Sequence, residues 1–268
     1  MLPKLNLQKP VAKNLLMKLI GSRKGIKMNA ASAVRVGALF GISENNIRVT
    51  LTRLLASNQL QLIERGYYIL GKEGERVAAQ IGRWRKAEDT LCEWRGDWVA
   101  VLTSSMVKSD RKAQRVRDRA LKLMGMRKLD KDFYIRPNNL VEGIDSLRER
   151  LNSLGLDKNA MVFNASEFTP IINNKALSLW QTDELELSYQ QGLIDIECSL
   201  QQLPDYSLDD AAKISYLVGD EALQRLVFDP LLPEPLIDVN LRKAFREKVI
   251  EYDKIGADIW LEFLHQDD

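Results

Sequence analysis

Histidine is nearly absent: the one copy is His265, three residues from the end of the sequence, and the only cysteines are Cys92 and Cys198. A Ser-His-Asp or Cys-His relay would have to rest on that terminal imidazole, where a side chain is poorly held. The two cysteines form no CxxC pair, so they offer no zinc site and suit a reducing compartment. There is neither a P-loop nor a GxGxxG. Apolar runs fall well short of the roughly 18 residues a membrane helix needs. The opening MLPKLNLQKPVAK scatters lysines with no continuous apolar stretch, unlike a secretory signal. The acidic pairs Asp183-Glu184 and Asp209-Asp210 sit at expected helix starts, where carboxylates complement the helix dipole. These absences predict a cytoplasmic protein that is no enzyme and has no metal, cofactor or membrane partner.

Acid is scarce at the front. Residues 1–86 hold 16 Lys and Arg against 4 Asp and Glu, residues 87–163 hold 15 against 12, and residues 164–268 hold 8 against 21. The net charge of +2 therefore conceals a basic head of +12 and an acidic tail of −13. Such a head calls for an anionic partner.

Within the head, GISENNIRVTLTRLLASNQL at 41–60 has one apolar face, Ile47, Leu51, Leu54 and Leu55 at helical spacing. Ser43 is placed to cap the helix. At about 100° per residue, Asn45, Asn46, Val49, Thr52, Arg53 and Ala56 fall on the opposite face, with Arg48 and Thr50 on its flanks. Asn pairs bidentately with adenine, Arg with guanine or phosphate, and Val and Thr methyls touch a thymine methyl. This is the pattern of a recognition helix. Two helices are expected before it, one with Leu15, Leu16 and Leu19 inward. The other is capped by Asn29, with Val34, Ala38 and Leu39 inward, and Gly41 makes the turn. LQLIERGYYIL at 60–70 then reads as a β-hairpin wing, with Arg65 at its tip within reach of a phosphate or minor groove.

Beyond the head, residues 97–164 alternate as βαββαβ. DWVAVLTSS is a strand, 107–124 a helix, MRKL and Phe133–Ile135 a strand pair, 144–154 a helix and 160–163 a last strand. That alternation predicts a ferredoxin-like domain. Its first helix carries Lys108, Lys112, Arg115, Arg119 and Lys122 as one cationic stripe, a seat for phosphates of DNA or of a nucleotide-like ligand. Residues 174–202, 207–228 and 240–264 have helical period, interrupted by Pro204 and by the proline-rich DPLLPEPL at 229–236. The expected class is thus α+β with three domains: a winged helix-turn-helix over 1–88, a ferredoxin-like domain over 89–168 and a helical domain over 169–268.

Four stretches in order, NIRVTLTRLLASNQL with RGYYIL, RGDWVAVL, DKDFYIRP and FDPLLPEPL, make the chain resemble the PaaX family of bacterial transcriptional repressors. The resemblance implies a homodimer with a winged-helix head, a middle domain like the CRISPR-associated Cas2 fold, and a helical tail. It implies binding of a double-stranded DNA operator and release by a small effector, phenylacetyl-coenzyme A in the best-known members. Carried over to this chain, Asn46, Arg48, Thr50 and Arg53 fall in the recognition helix; together with the helical projection, the cap and the hairpin tip, the expected DNA-contacting set is Ser43, Asn45, Asn46, Arg48, Thr50, Thr52, Arg53 and Arg65. An acyl-coenzyme A would find cations at Lys108, Lys112, Arg115 and Arg119. The Trp-x-Gly that commonly follows the family's proline segment is missing after LPEPL, and the tail is shorter than in many members. Two other readings compete. One is an architectural DNA-binding protein without an effector. The other is a Cas2-like metal-dependent nuclease, which would want a carboxylate at the end of the strand WVAVLTSS, where there is none.

Overall fold

The computed structural model describes residues 9–22, 26–63, 66–104 and 110–265. It mixes helix and strand, with two small antiparallel sheets among the described residues, so the class is α+β. The chain divides into two compact units. One comprises Met1–Trp84, Gly192–Leu223 and Glu247–Asp268; the other comprises Arg85–Gln191 and Gln224–Arg246. The tail expected to form a domain of its own is therefore shared between both.

The first unit opens with α1 (Ala12–Gly21), whose Leu15, Leu16 and Leu19 are all buried. After a two-residue strand β1 (Met28–Asn29), Asn29 caps α2 (Ala30–Leu39), its Oδ1 accepting the Ser32 N–H at 2.8 Å. Gly41, at φ +61°, turns the chain into α3 (Glu44–Ala56). That left-handed turn is one that glycine adopts without steric cost. The hairpin follows as β2 (Leu60–Ile63) and β3 (Tyr67–Leu70), in register Leu60↔Leu70 to Ile63↔Tyr67. β1 pairs with the outer side of β3, so the sheet order is β1-β3-β2. Two residues are too few for an alternation signal, which is why β1 was not legible in the sequence. The next helix, α4 (Lys72–Gly82), runs into a 3-10 turn that buries Trp84.

The inward face of α2 is shifted from the expected one. Ala33, Val36 and Gly37 are buried, the expected Val34 and Leu39 pack half-buried against the same core, and Ala38 is exposed. Close packing rotates the helix. A Cβ on Gly37 would stand 2.6 Å from Ile47 Cγ1, so α2 and α3 meet where α2 has no side chain. Gly37→Val is expected to cost about 1–3 kcal/mol by overpacking; urea unfolding checks this, and an unchanged midpoint would refute the contact.

The same core takes in the C-terminal helices. Ala212 and Tyr216 from α9 (Leu208–Val227), and Trp260, Phe263 and Leu264 from α10 (Val239–His265), pack with Leu15, Phe40 and Ile47. Phe40 meets the Tyr216 ring edge-on at 5.3 Å and stacks with Trp260 at 6.5 Å. The Arg35 guanidinium lies 4.3 Å from the Phe263 ring centroid and donates to the Phe263 carbonyl. Elsewhere in the unit, the Ser199 hydroxyl of α8 (Thr182–Gln202) and the Tyr252 hydroxyl of α10 share a 2.7 Å hydrogen bond.

In the second unit, β4 (Trp98–Leu102), α5 (Arg111–Leu123), β5 (Arg127–Asp130), β6 (Phe133–Pro137), α6 (Gly143–Ser153) and β7 (Met161–Ala165) follow in turn. The sheet order is β5-β6-β4-β7, antiparallel throughout. Val99 and Val101 share a buried cluster with Leu121 of α5, Met124 at its C-cap, and Leu147 and Leu151 of α6, so both helices cover one face. On the other, Trp98 stacks with Trp180 at 5.9 Å, beyond α7 (Pro170–Leu177), and meets Trp94 edge-on at 5.2 Å. These indoles serve as core, and Trp180 Nε1 donates to the Gly125 carbonyl at 3.3 Å.

The proline segment is held by buried charge. Tyr189 donates to Asp229 Oδ2 at 2.6 Å, and Asp229 Oδ1 accepts the Leu231 N–H at 2.7 Å. Burial raises the Asp229 carboxyl above its ordinary pKa, against the lowering effect of those two hydrogen bonds. Asn139 Nδ2 donates to the Leu231 carbonyl at 2.8 Å, while its Oδ1 accepts from Arg136 at 3.0 Å. Arg136 also donates to the Met124 carbonyl at 2.7 Å; burial pulls its pKa down to about 10. Arg242 closes the segment, bonding the Leu232 carbonyl and forming a two-pronged pair with Glu88 at 2.8 and 3.1 Å.

Candidate nucleic-acid interface

The candidate site is the outer face of α3, and the inner face of that helix positions it. Ile47, Leu51 and Leu54 are at most 2% exposed and anchor the helix in the first unit's core; Leu55 is half-buried. Ser43 caps the first turn, its Oγ accepting the Asn46 N–H at a long 3.4 Å. Ser57 ends the helix by donating its hydroxyl to the Arg53 carbonyl at 2.9 Å.

Ser43, Asn45, Asn46, Arg48, Thr52 and Arg53 are all exposed, and Thr50 is half-buried. Val49 presents an apolar patch among them, 39% exposed. From Asn45 to Arg53 the helix rises about 12 Å. The side chains are not equally available. Arg48 Nε donates to Glu44 Oε1 at 2.7 Å, one turn back, with both groups more than half exposed. Thr50 donates to Asn46 Oδ1 at 3.3 Å, and Thr52 donates to the Arg48 carbonyl at 3.1 Å. The side chains of Asn45 and Arg53 have no hydrogen-bond partner among the described residues and are open to an external one. Glu44, the one acid at the start of this face, pairs with Arg48, a contact that sequence reasoning did not state. Its signal was present in the i,i+4 spacing to Arg48.

Of the hairpin, Leu62 and Ile63 are exposed next to the turn, 55% and 38%, and Lys27 Nζ stands 4.8 Å from the Tyr67 ring centroid. Arg65, expected at the hairpin tip, lies outside the described residues, as does Lys108. The remaining members of the expected phosphate seat, Lys112, Arg115 and Arg119, are exposed on α5 of the second unit. Asp97, just before β4, accepts from Asn138 Nδ2 at 2.7 Å. His265 is exposed at the end of α10. Among the described residues, no three His, Cys, Asp or Glu side chains gather where they could hold a metal ion, and no helix is long and apolar enough to cross a membrane.

With this geometry in hand, the chain can be set beside known proteins. The fold recurs. An uncharacterized protein, Rv0674 from Mycobacterium tuberculosis, is similar, with a TM-score of 0.64 over 96% of this chain and 99% of that one. Identity is 18%, so the likeness concerns the fold alone. No protein-family model matches the chain, and no curated protein matches it.

Proposed function

We propose that this protein is a sequence-specific, DNA-binding transcriptional repressor of the PaaX type. It acts as a homodimer and leaves its operator when a small effector binds. The observation that carries the reading is the split character of α3: three aliphatic side chains locked into the core, and Asn45, Asn46, Arg48, Thr52 and Arg53 turned outward. A helix with that outer face fits the major groove of B-form DNA, about 12 Å wide. The element order helix, short strand, helix, helix, hairpin, with β1 closing the sheet, supports a winged-helix head. The order β5-β6-β4-β7 with two helices on one face supports the ferredoxin-like, Cas2-like middle domain.

A dimer would read two half-sites about 34–36 Å apart, or a multiple of that. The effector, an acyl-coenzyme A by resemblance, must bind the released state better than the DNA-bound one. Selecting bound duplexes from a random pool with the full chain tests the function. Enrichment of one motif with two half-sites, protected as a defined footprint, is the expected result. Uniform coating with no enriched motif would overturn it in favour of an architectural protein.

Glu44 provides a second test. Its carboxylate occupies Arg48 and repels phosphate, so Glu44→Gln is expected to raise affinity for duplex DNA severalfold. One freed phosphate contact should steepen the dependence of log K on log salt by about 0.9. Weaker binding by this variant would mean that the pair positions Arg48 rather than restrains it.

A further inference from the structure

The thirteen residues of α5 hold six cations and one acid, Asp118. Arg117 is buried and its Nε donates to Asp118 at 3.4 Å. The other five, Arg111, Lys112, Arg115, Arg119 and Lys122, are exposed. At about 100° per residue they share an arc roughly 100° wide. Arg111, Arg115 and Arg119 stand at successive i,i+4 positions, where like charges weaken a helix. The side chains of Arg111, Lys112, Arg115 and Arg119 have no ion pair or hydrogen bond among the described residues, and Lys122 lies 5.2 Å from the Phe228 ring centroid. Three arginines on other helices are matched within their own helix, Arg48 by Glu44, Arg76 by Glu73 and Arg148 by Asp145, while Arg53 of α3 is not. The α5 arc is a cation-rich, self-repelling surface whose one neighbouring acid, Asp118, lies about 20° outside it and bonds Arg117.

Its shape selects the ligand. A compact nucleotide ligand needs a concave site that buries most of its surface. The α5 arc is the convex outer side of a helix, and a shallow cleft of the same unit lined by Thr90, Glu142, Ser146 and Arg150 among others takes no residue from it. An extended polyanion matches a ridge. From Arg111 to Lys122 the helix rises about 16 Å. Successive phosphates of one B-form strand rise about 3.4 Å along the axis and stand about 7 Å apart, so the ridge spans two or three of them. We propose that α5 is a second contact surface for double-stranded DNA, holding phosphates without reading bases. This rests on the DNA-binding reading above and moves these cations from effector to operator. Joining a backbone contact to a base-reading one in a single chain raises the combined affinity through effective concentration.

The test titrates a duplex of about 40 base pairs carrying the selected operator motif with the full chain over roughly 50 to 200 mM salt. It compares wild type with Lys112→Gln/Arg115→Gln/Arg119→Gln, the charge-preserving Lys112→Arg/Arg115→Lys/Arg119→Lys, and Asn45→Ala/Arg53→Ala in the head. Neutralising three contacts should flatten the log K against log salt slope by about 2.7, with the charge-preserving triple keeping the wild-type slope. A neutral triple with the wild-type slope, alongside a weakened head variant, would overturn the α5 surface and leave the repressor reading standing. A flattened slope with an unaffected head variant would support α5 and count against α3 as the reader. No duplex binding by wild type would remove both. Loss of acetyl-coenzyme A binding in the neutral triple, at unchanged DNA slope, would return these cations to an effector site.

Discussion

Arg242→Met is expected to destabilise the protein by about 3–5 kcal/mol, the scale for breaking a buried ion pair by removing one partner. Arg242 is 1% exposed, and its side chain bonds both Glu88 oxygens and the Leu232 carbonyl. Burial opposes its charge, but the hydrogen bonds and Coulombic attraction from Glu88 more than offset this and hold its pKa above the ordinary arginine value. Methionine fills much of the volume but leaves the Glu88 carboxylate, whose side chain is 12% exposed, without its cation. The double variant Glu88→Gln/Arg242→Met removes both charges and should recover much of the loss, because a well-packed neutral pair is often as stable as a buried ionic one. Urea unfolding of the two singles and the double closes the cycle. Additive losses would show that the pair is not coupled and that Arg242 acts through the Leu232 carbonyl alone.

The second large effect concerns binding. Asn45→Ala/Arg53→Ala is expected to weaken operator binding by about 2–6 kcal/mol, from two bidentate base contacts at about 1–3 kcal/mol each. Both side chains are exposed, so stability should stay within about 0.5 kcal/mol of the parent. On unrelated duplexes the loss should be far smaller, since non-specific affinity comes from phosphates. Fluorescence anisotropy on the selected operator and on a scrambled duplex separates these terms. Equal losses on both would reduce α3 to a phosphate clamp, and no loss on either would remove it from the interface.

How much of this was legible in the sequence depended on the distance over which the governing interaction acts. Local signals carried far. The Ser43 and Asn29 caps, the Gly41 turn, the existence of the hairpin and the Ile47, Leu51, Leu54 face were all written in residues a few positions apart. The strand pair β5 and β6 was readable in the same way. The rotation of α2 was not, because it depends on Gly37 meeting Ile47, and helical periodicity counts glycine as no signal at all. The division of the tail between two units escaped for the same reason. Tyr216, Trp260 and Phe263 look like the apolar stripe of any bundle helix, and nothing in their spacing names Phe40 as their partner. At the candidate interface, composition identified which side chains face outward. Of those already engaged, Arg48 with Glu44 had its signal in the i,i+4 spacing, while Asn46 with Thr50 emerged only from distances.

One consequence concerns folding. Arg35 and Phe263 stand 228 positions apart, and the Phe40 ring packs against Tyr216 and Trp260. The unit that carries α3 is therefore closed by contacts of very long sequence separation, whose loop-closure entropy must be met before they contribute, so it should fold slowly for its size.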